Sequence, residues 1–279
     1  MSTTTTVTPI IPTLPTPTAL AGHLDALEEH GWTVIPGFLD GASTARLRQH
    51  MDGLLPPVAR AGTVHDLRHP IPGAIMAELV TEHHLRLARA LLRAGDGLRL
   101  LEQVLIRTDP SSDDAGVRGW HIDAAFYPRH RAATPRQTYY QCVHALCDIK
   151  PGGGATMIVP GSHRRLVSAT ARIESSACIP TVKQAELKAE ALRLAAIDDS
   201  AGIELIAHEG DLVLFDPTCL HSASVNTGAS ARYVLFQSFI DESADEMNTV
   251  LEATGYRSGF SDDLRSALPP ERRHLLRRP

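Results

Sequence analysis

At 279 residues with 43% hydrophobic content, the chain is long enough for one large domain or two small ones with a real core. Lys and Arg number 27 against 32 Asp and Glu, a formal net charge of -5 that removes the electrostatic case for a nucleic-acid partner. No basic run favours a membrane surface, no apolar run approaches the roughly 20 residues that span a bilayer, and no basic-then-apolar leader opens the chain, so the expected location is cytoplasmic. The four cysteines, Cys142, Cys147, Cys178 and Cys219, form no C-x-x-C pair and read as reduced and mostly buried.

Residues 1–18 contain Pro9, Pro12, Pro15 and Pro17 and read as a flexible tail, because closely spaced prolines oppose helix and sheet alike. Leu20, Leu24 and Leu27 share one helical face, and Gly31 ends that helix. Trp32 to Ile35 reads as a strand, turned by Pro36-Gly37. A second helix points Leu47, Met51, Leu54 and Leu55 inward, and a third spans 82–94, stopped by Gly95, with His83 and His84 solvated. From residue 98 the texture changes to short apolar runs: Leu98 to Ile106, Thr138 to Ile149, Ala155 to Val159, Ile203 to Ala207, Asp211 to Phe215, and Tyr233 to Ile240. Gly, Pro, Asp and Asn punctuate them, which predicts a β-sandwich or barrel in place of βαβ units. A helical stretch at about 181–197, with Ala185, Leu192 and Ala196 at helical spacing, interrupts the strands, and residues 165–200 read as a lid or binding insertion. Residues 19–279 are expected to form a single domain, mainly β, with helices packed outside the barrel.

The sharpest local feature is Gly119-Trp120-His121-Ile122-Asp123. On an extended segment, side chains two apart point the same way, so one imidazole and one carboxylate converge. By itself H-x-D is weak in a chain with 14 histidines. His221, following the run Asp211 to Phe215 and the turn Asp216-Pro217, is the candidate third ligand. Two His and one carboxylate on one face of Fe(II) leave open positions for a bidentate 2-oxo acid and for O2. Arg232 then stands on an apolar strand, where its guanidinium can pair with the far carboxylate of a dicarboxylic co-substrate.

Several segments together resemble the phytanoyl-CoA dioxygenase family of Fe(II)/2-oxoglutarate oxygenases. Gly31-Trp32-Thr33-Val34-Ile35-Pro36-Gly37-Phe38-Leu39 is similar to the family's opening strand, and Trp120-His121-Ile122-Asp123 to its H-x-D segment. Gly152-Gly153-Gly154-Ala155-Thr156-Met157-Ile158-Val159-Pro160-Gly161-Ser162-His163 is similar to its G-G to P-G-S-H stretch. Gly210-Asp211-Leu212-Val213-Leu214-Phe215 before His221 looks like its final metal strand, and the spacing from His221 to Arg232 fits as well. The resemblance covers roughly residues 20–245.

It implies a double-stranded β-helix (jelly-roll) barrel with iron at its open end, held by His121, Asp123 and His221, and 2-oxoglutarate anchored by Arg232. Gln103, Arg107 and Thr156 stand where the family often places polar contacts to the co-substrate; ordinary barrel polarity explains them equally well. Related halogenases replace the carboxylate ligand with a small residue, so Asp123 implies oxygenation. The resemblance makes His163 structural, at a turn. Phe126, Tyr127, His130 and His144 are candidates to line a substrate pocket, against the plainer roles of core aromatics and surface histidines. The implied activity is oxidation, by default hydroxylation, of a small molecule with release of succinate and CO2. The Ala- and Arg-rich texture tilts the substrate class towards secondary metabolites. The rival readings are a cupin-like metal-dependent isomerase and a non-catalytic jelly roll that binds a small molecule. Nothing in the sequence sets the oligomeric state.

Overall fold

The computed structural model describes residues 10–68, 71–113, 116–123, 139–172, 184–242, 260 and 262–276. The chain order begins α1 (Pro17–His30), β1 (Trp32–Ile35), α2 (Gly41–Leu54), β2 (Val64–Leu67), α3 (Ile75–Glu78), α4 (Glu82–Leu92) and β3 (Leu98–Thr108). It continues with β4 (Gln141–Ala145), β5 (Thr156–Ile158), α5 (Ser162–Arg172), α6 (Gln184–Ala195), β6 (Ile203–Leu205), β7 (Leu212–Phe215), β8 (His221–Ala223), β9 (Arg232–Asp241) and α7 (Asp262–Ala267).

The early helices start where the sequence supplies a cap. Thr16 accepts from the Ala19 N–H and Pro17 takes the first helical position of α1, where its missing N–H costs nothing. Gly31 closes α1 at φ 81°, its N–H donating to the Leu27 carbonyl. A Cβ at this glycine would lie 2.3 Å from Cys219 Sγ, so both the left-handed backbone and the close approach require glycine. Asp40 caps α2 and Thr81 caps α4.

Four sequence expectations are corrected in this region. Order begins well before residue 18: Ile10 is buried, and the Thr13 N–H donates to the Phe38 carbonyl at 2.8 Å. Burial of an apolar side chain and a backbone hydrogen bond hold this proline-rich stretch against the body. The third helix ends at Leu92, with Arg93 rather than Gly95 taking the left-handed cap at φ 49°. Leu54 is exposed at the end of α2, and His84 is buried, not solvated.

All strand pairs are antiparallel. A six-stranded sheet runs β1-β7-β4-β9-β3-β2, and a three-stranded sheet runs β6-β5-β8. Strand alternation sorts the core into two layers. Leu212 and Leu214 of β7 pack outward with Leu27, Leu47, Met51 and Leu85 of the helices, while Val213 and Phe215 pack inward with Ile158 and Leu205 of the small sheet. Helices therefore cover one face of the large sheet and the small sheet covers the other, which is why β7 is apolar at every position.

Residues 181–197 were expected to be helical, and α6 occupies 184–195; positions 181–183 fall outside the described residues. The preceding helix α5 has no counterpart in the sequence reading. Leu166 and Ala169 of α5 and Ala191 and Ala195 of α6 share a small apolar cluster with Ile122 and Leu220, with Trp120 and Leu192 at its edge. The insertion thus packs directly on the two segments that carry the H-x-D motif and His221. Cys142, Cys147 and Cys219 form no disulfide among the described residues, Cys219 buried and the other two half-buried; Cys178 lies outside the described residues. No helix among the described residues is long and apolar enough to cross a membrane.

Candidate metal centre

The H-x-D segment is anchored to β8 and the turn before it. The His121 N–H donates to the His221 carbonyl and the His221 N–H to the His121 carbonyl, each at 2.9 Å. A mutual antiparallel pair puts both side chains on the same face of the ladder, and the two ring centroids lie 4.3 Å apart. The Asp123 N–H donates to the Pro217 carbonyl at 2.9 Å. Its carboxylate lies 3.8 Å from His121 Nε2 and 3.5 Å from His221 Nε2. One ligand atom from each residue falls within 4.8 Å of the others.

Backbone carbonyls orient both rings. His121 Nδ1 sits 3.1 Å from the Gly119 carbonyl, and His221 Nδ1 sits 2.9 Å from the Cys219 carbonyl. Those contacts assign the proton to Nδ1 and leave the Nε2 lone pairs facing Asp123. Burial lowers the His221 imidazole below its ordinary range, opposed by the negative charge of Asp123, and the neutral ring is the form that ligates. Two neutral imidazoles and one carboxylate, converging from one side, are a donor set that suits Fe(II).

Gln141 holds the carboxylate from behind. Its Nε2 donates to Asp123 Oδ2 at 2.8 Å, and its Oε1 accepts from Ser238 Oγ at 3.1 Å. The sequence reading missed Gln141. The available signal was alternation along β4, where Gln141 shares a face with the inward Val143.

A cavity of about 230 Å³ opens on the triad, with Glu102, Val104, Ile106 and Thr108 of β3 in its wall. Thr156 and Arg232 also line it. Arg232 is 6% exposed. Its Nη2 donates to Thr156 Oγ1 at 3.3 Å, and its Nε has no hydrogen-bond partner among the described residues. Burial lowers its pKa to about 10, which leaves the guanidinium charged at neutral pH. A buried cation to which no carboxylate among the described residues is bonded fits a dicarboxylic acid entering the cavity.

The remaining expected site residues fall elsewhere. Even-numbered side chains of β3 face the cavity, so Gln103 and Arg107 face the opposite way. Gln103 Nε2 is spent on the Met76 carbonyl and Gln237 Oε1, and Arg107 is paired with Asp109 at 2.8 Å. Neither touches the cavity, and the co-substrate contact expected of them is corrected on that ground. His144 is also on the wrong face of its strand: it packs under the helices against Phe38 and His84, with ring centroids 5.6 Å and 5.2 Å away. Its expected pocket role is corrected likewise. Phe126, Tyr127 and His130 lie outside the described residues. His163 stands at the start of α5, its Nε2 3.1 Å from the Glu28 carbonyl.

Comparison with known proteins agrees with this geometry. The profile of the phytanoyl-CoA dioxygenase (PhyH) family matches residues 27–234. Ectoine dioxygenase of Stutzerimonas stutzeri (strain A1501) is 24% identical over 225 residues, which cover 76% of this chain and 74% of that one. Among solved structures, the epimerase SnoN in complex with Fe3+, alpha-ketoglutarate and nogalamycin RO is similar with a TM-score of 0.56 at 20% identity, over 81% of this chain and 85% of SnoN. EvdO2 from Micromonospora carbonacea var. aurantiaca, complexed with 2-oxoglutarate, gives a TM-score of 0.57 at 17% identity, over 83% and 94%. The two antiparallel sheets with flanking helices are accordingly a jelly-roll fold. With the matched profile spanning most of its length, this chain belongs to the phytanoyl-CoA dioxygenase family and is a non-haem Fe(II)/2-oxoglutarate-dependent dioxygenase, with O2 as its other co-substrate.

Proposed function

We propose that this enzyme hydroxylates a small molecule, of the secondary-metabolite class, with release of succinate and CO2. His121, Asp123 and His221 hold the iron. Arg232, with Thr156 beside it, takes the distal carboxylate of 2-oxoglutarate by a charge-assisted contact. The observation that carries this reading is the coexistence, in one cavity, of the three convergent donors and a buried guanidinium to which no carboxylate among the described residues is bonded.

Iron and 2-oxoglutarate, when bound, supply the oxidative decarboxylation and the oxidising power, which are the cofactor's chemistry. The chain's own residues do three things. Carbonyls of Gly119 and Cys219 fix the imidazole tautomers. Gln141 fixes the carboxylate. Val104, Ile106, Phe215 and Phe236 give the cavity an apolar wall beside the donor set. The secondary-metabolite class rests on the likeness to SnoN, a protein bound to nogalamycin RO, and on the Ala- and Arg-rich composition.

The test begins without a known substrate. Anaerobic addition of 2-oxoglutarate to the Fe(II)-loaded protein is expected to produce a weak visible absorption band, and the His121→Ala protein none. With O2 and candidate secondary metabolites supplied, succinate is expected to accumulate in step with a product that has gained one oxygen atom. A product of unchanged mass would replace hydroxylation by epimerisation, the activity named for SnoN. Iron binding without succinate from any 2-oxo acid would sink the oxygenase reading.

A further inference from the structure

The cavity is electrically two-ended. β3 pairs with β9 so that Thr108 faces Arg232 and Glu102 faces Ser238. Six residues therefore separate the Arg232 level from the Glu102 level, roughly 20 Å along the strands. Thr156, which meets Arg232, belongs to the first level, whereas Ser238, which bonds the Gln141 that holds Asp123, belongs to the second. With the Arg232 end read as the 2-oxoglutarate site, the Glu102 end is left for the other substrate.

Glu102 is unusual for that end. It is 9% exposed; Ser238 hydrogen-bonds its carboxylate, but Oε1 has no hydrogen-bond partner among the described residues. Its surroundings on the same strand face are Val104 and Ile106. Burial, followed by the negative charge of Asp123, raises its carboxyl to about 7. The cation nearest in kind, Arg68, also borders the cavity, but it bonds Asp66 at 2.9 Å and is 62% exposed, a group at the mouth. A carboxylate in such a place is costly to bury unless something bonds it. Neither the metal triad nor Arg232 requires it.

We propose that Glu102 is the specificity-determining residue for the primary substrate and that it selects a molecule bearing a protonated amine, whose N–H groups bond the carboxylate. This rests on the reading of the other end as the 2-oxoglutarate site. Arg68 at the mouth already favours the charged carboxylate; an ammonium adds an opposite charge in direct contact with Oε1 and fixes the substrate's orientation. A hydroxyl-bearing substrate would gain one neutral hydrogen bond, and an anionic one would be repelled by both Glu102 and Asp123.

Binding of simple probes tests this without knowing the natural substrate. The wild-type protein, loaded with Ni(II) and saturated with 2-oxoglutarate at pH 8, is titrated calorimetrically with cyclohexylamine, cyclohexanol and cyclohexanecarboxylate. Cyclohexylamine is expected to bind about tenfold more tightly than cyclohexanol, with the carboxylate weakest. Glu102→Gln, which keeps shape and hydrogen-bonding capacity, is expected to bring amine and alcohol to near parity while leaving the affinity for 2-oxoglutarate unchanged. Equal wild-type affinities, tightest binding of the carboxylate, or an amine preference that survives in Glu102→Gln would overturn the proposal. The wild-type comparison stands even if the variant folds poorly. Failure of 2-oxoglutarate itself to bind the Ni(II) protein would overturn the underlying oxygenase site, and this inference with it.

Discussion

His121 and His221 are a hundred residues apart in the chain, yet they exchange both backbone hydrogen bonds at 2.9 Å. The candidate metal site is thus set by main-chain pairing, and the imidazoles follow from it because a mutual pair projects its side chains to one side. The two side chains differ sharply in burial. His121 is 56% exposed and His221 only 7%.

That difference makes His121 the cleaner ligand to remove. His121→Ala keeps the backbone pair and deletes a mostly exposed ring, so the stability of the metal-free protein should change by no more than about 0.5 kcal/mol. Metal affinity should fall by more than about a hundredfold, beyond the range seen when only supporting residues are lost. Calorimetric Ni(II) titration beside thermal melting of the apo protein measures both. Retained affinity would remove His121 from the ligand set.

Gln141 is expected to act on the metal through Asp123. Gln141→Leu fills similar space but cannot donate to Oδ2, and it removes the Oε1 that accepts from Ser238. The expected loss is about 10- to 100-fold in metal affinity. If the Ni(II) titration of this variant matches the wild type, the hydrogen bond does not position the carboxylate.

For Arg232→Ala the prediction separates co-substrate from metal. Loss of a charge-assisted contact worth about 1.5–3 kcal/mol should weaken 2-oxoglutarate binding roughly 10- to 100-fold, with Ni(II) affinity unchanged. Arg232→Lys should recover only part, because an ammonium cannot offer the planar fork. Equal loss of metal and co-substrate would indicate a collapsed cavity instead.

The histidines beneath the helices predict acid lability. Burial depresses the His144 imidazole from 6.5 to about 3, and burial also holds His84 well below 6.5, with lesser repulsion from His144 and His83. Both are neutral when folded, whereas the unfolded rings protonate near 6.5. The neutral-state advantage is therefore complete above about 6.5 and is lost as pH falls towards the folded values. The slope is about 1.4 kcal/mol per pH unit for each ring. Melting temperatures of the apo protein between pH 8 and pH 5 should fall, and His144→Phe, packed among the same rings, should fall less. A His144→Phe protein with the wild-type pH profile would show that His144 does not titrate on unfolding.

Much of the fold and the site was legible in the sequence because it rests on short-range rules. Gly31 marked the end of the first helix, since its left-handed backbone admits little else, and the run Asp211 to Phe215 marked a strand, which only the structure shows to be buried on both faces. The order H-x-D, His221, Arg232 marked the chemistry, since few other donor sets suit Fe(II) and a dicarboxylate. What the sequence left undecided depended on strand parity and on which surfaces meet. Gln103, Arg107 and His144 have residue types suited to a cavity, but β3 and β4 turn them to the outer face, where they bond or pack under the helices. Gln141 and Glu102 read as ordinary strand residues until register set one behind Asp123 and the other at the far end of the cavity from Arg232. Residue types and their order determined the cofactor class and the candidate donor set; only the pairing of distant strands decided which polar side chains share the cavity, because a shift of one residue in a strand reverses the face its side chains occupy.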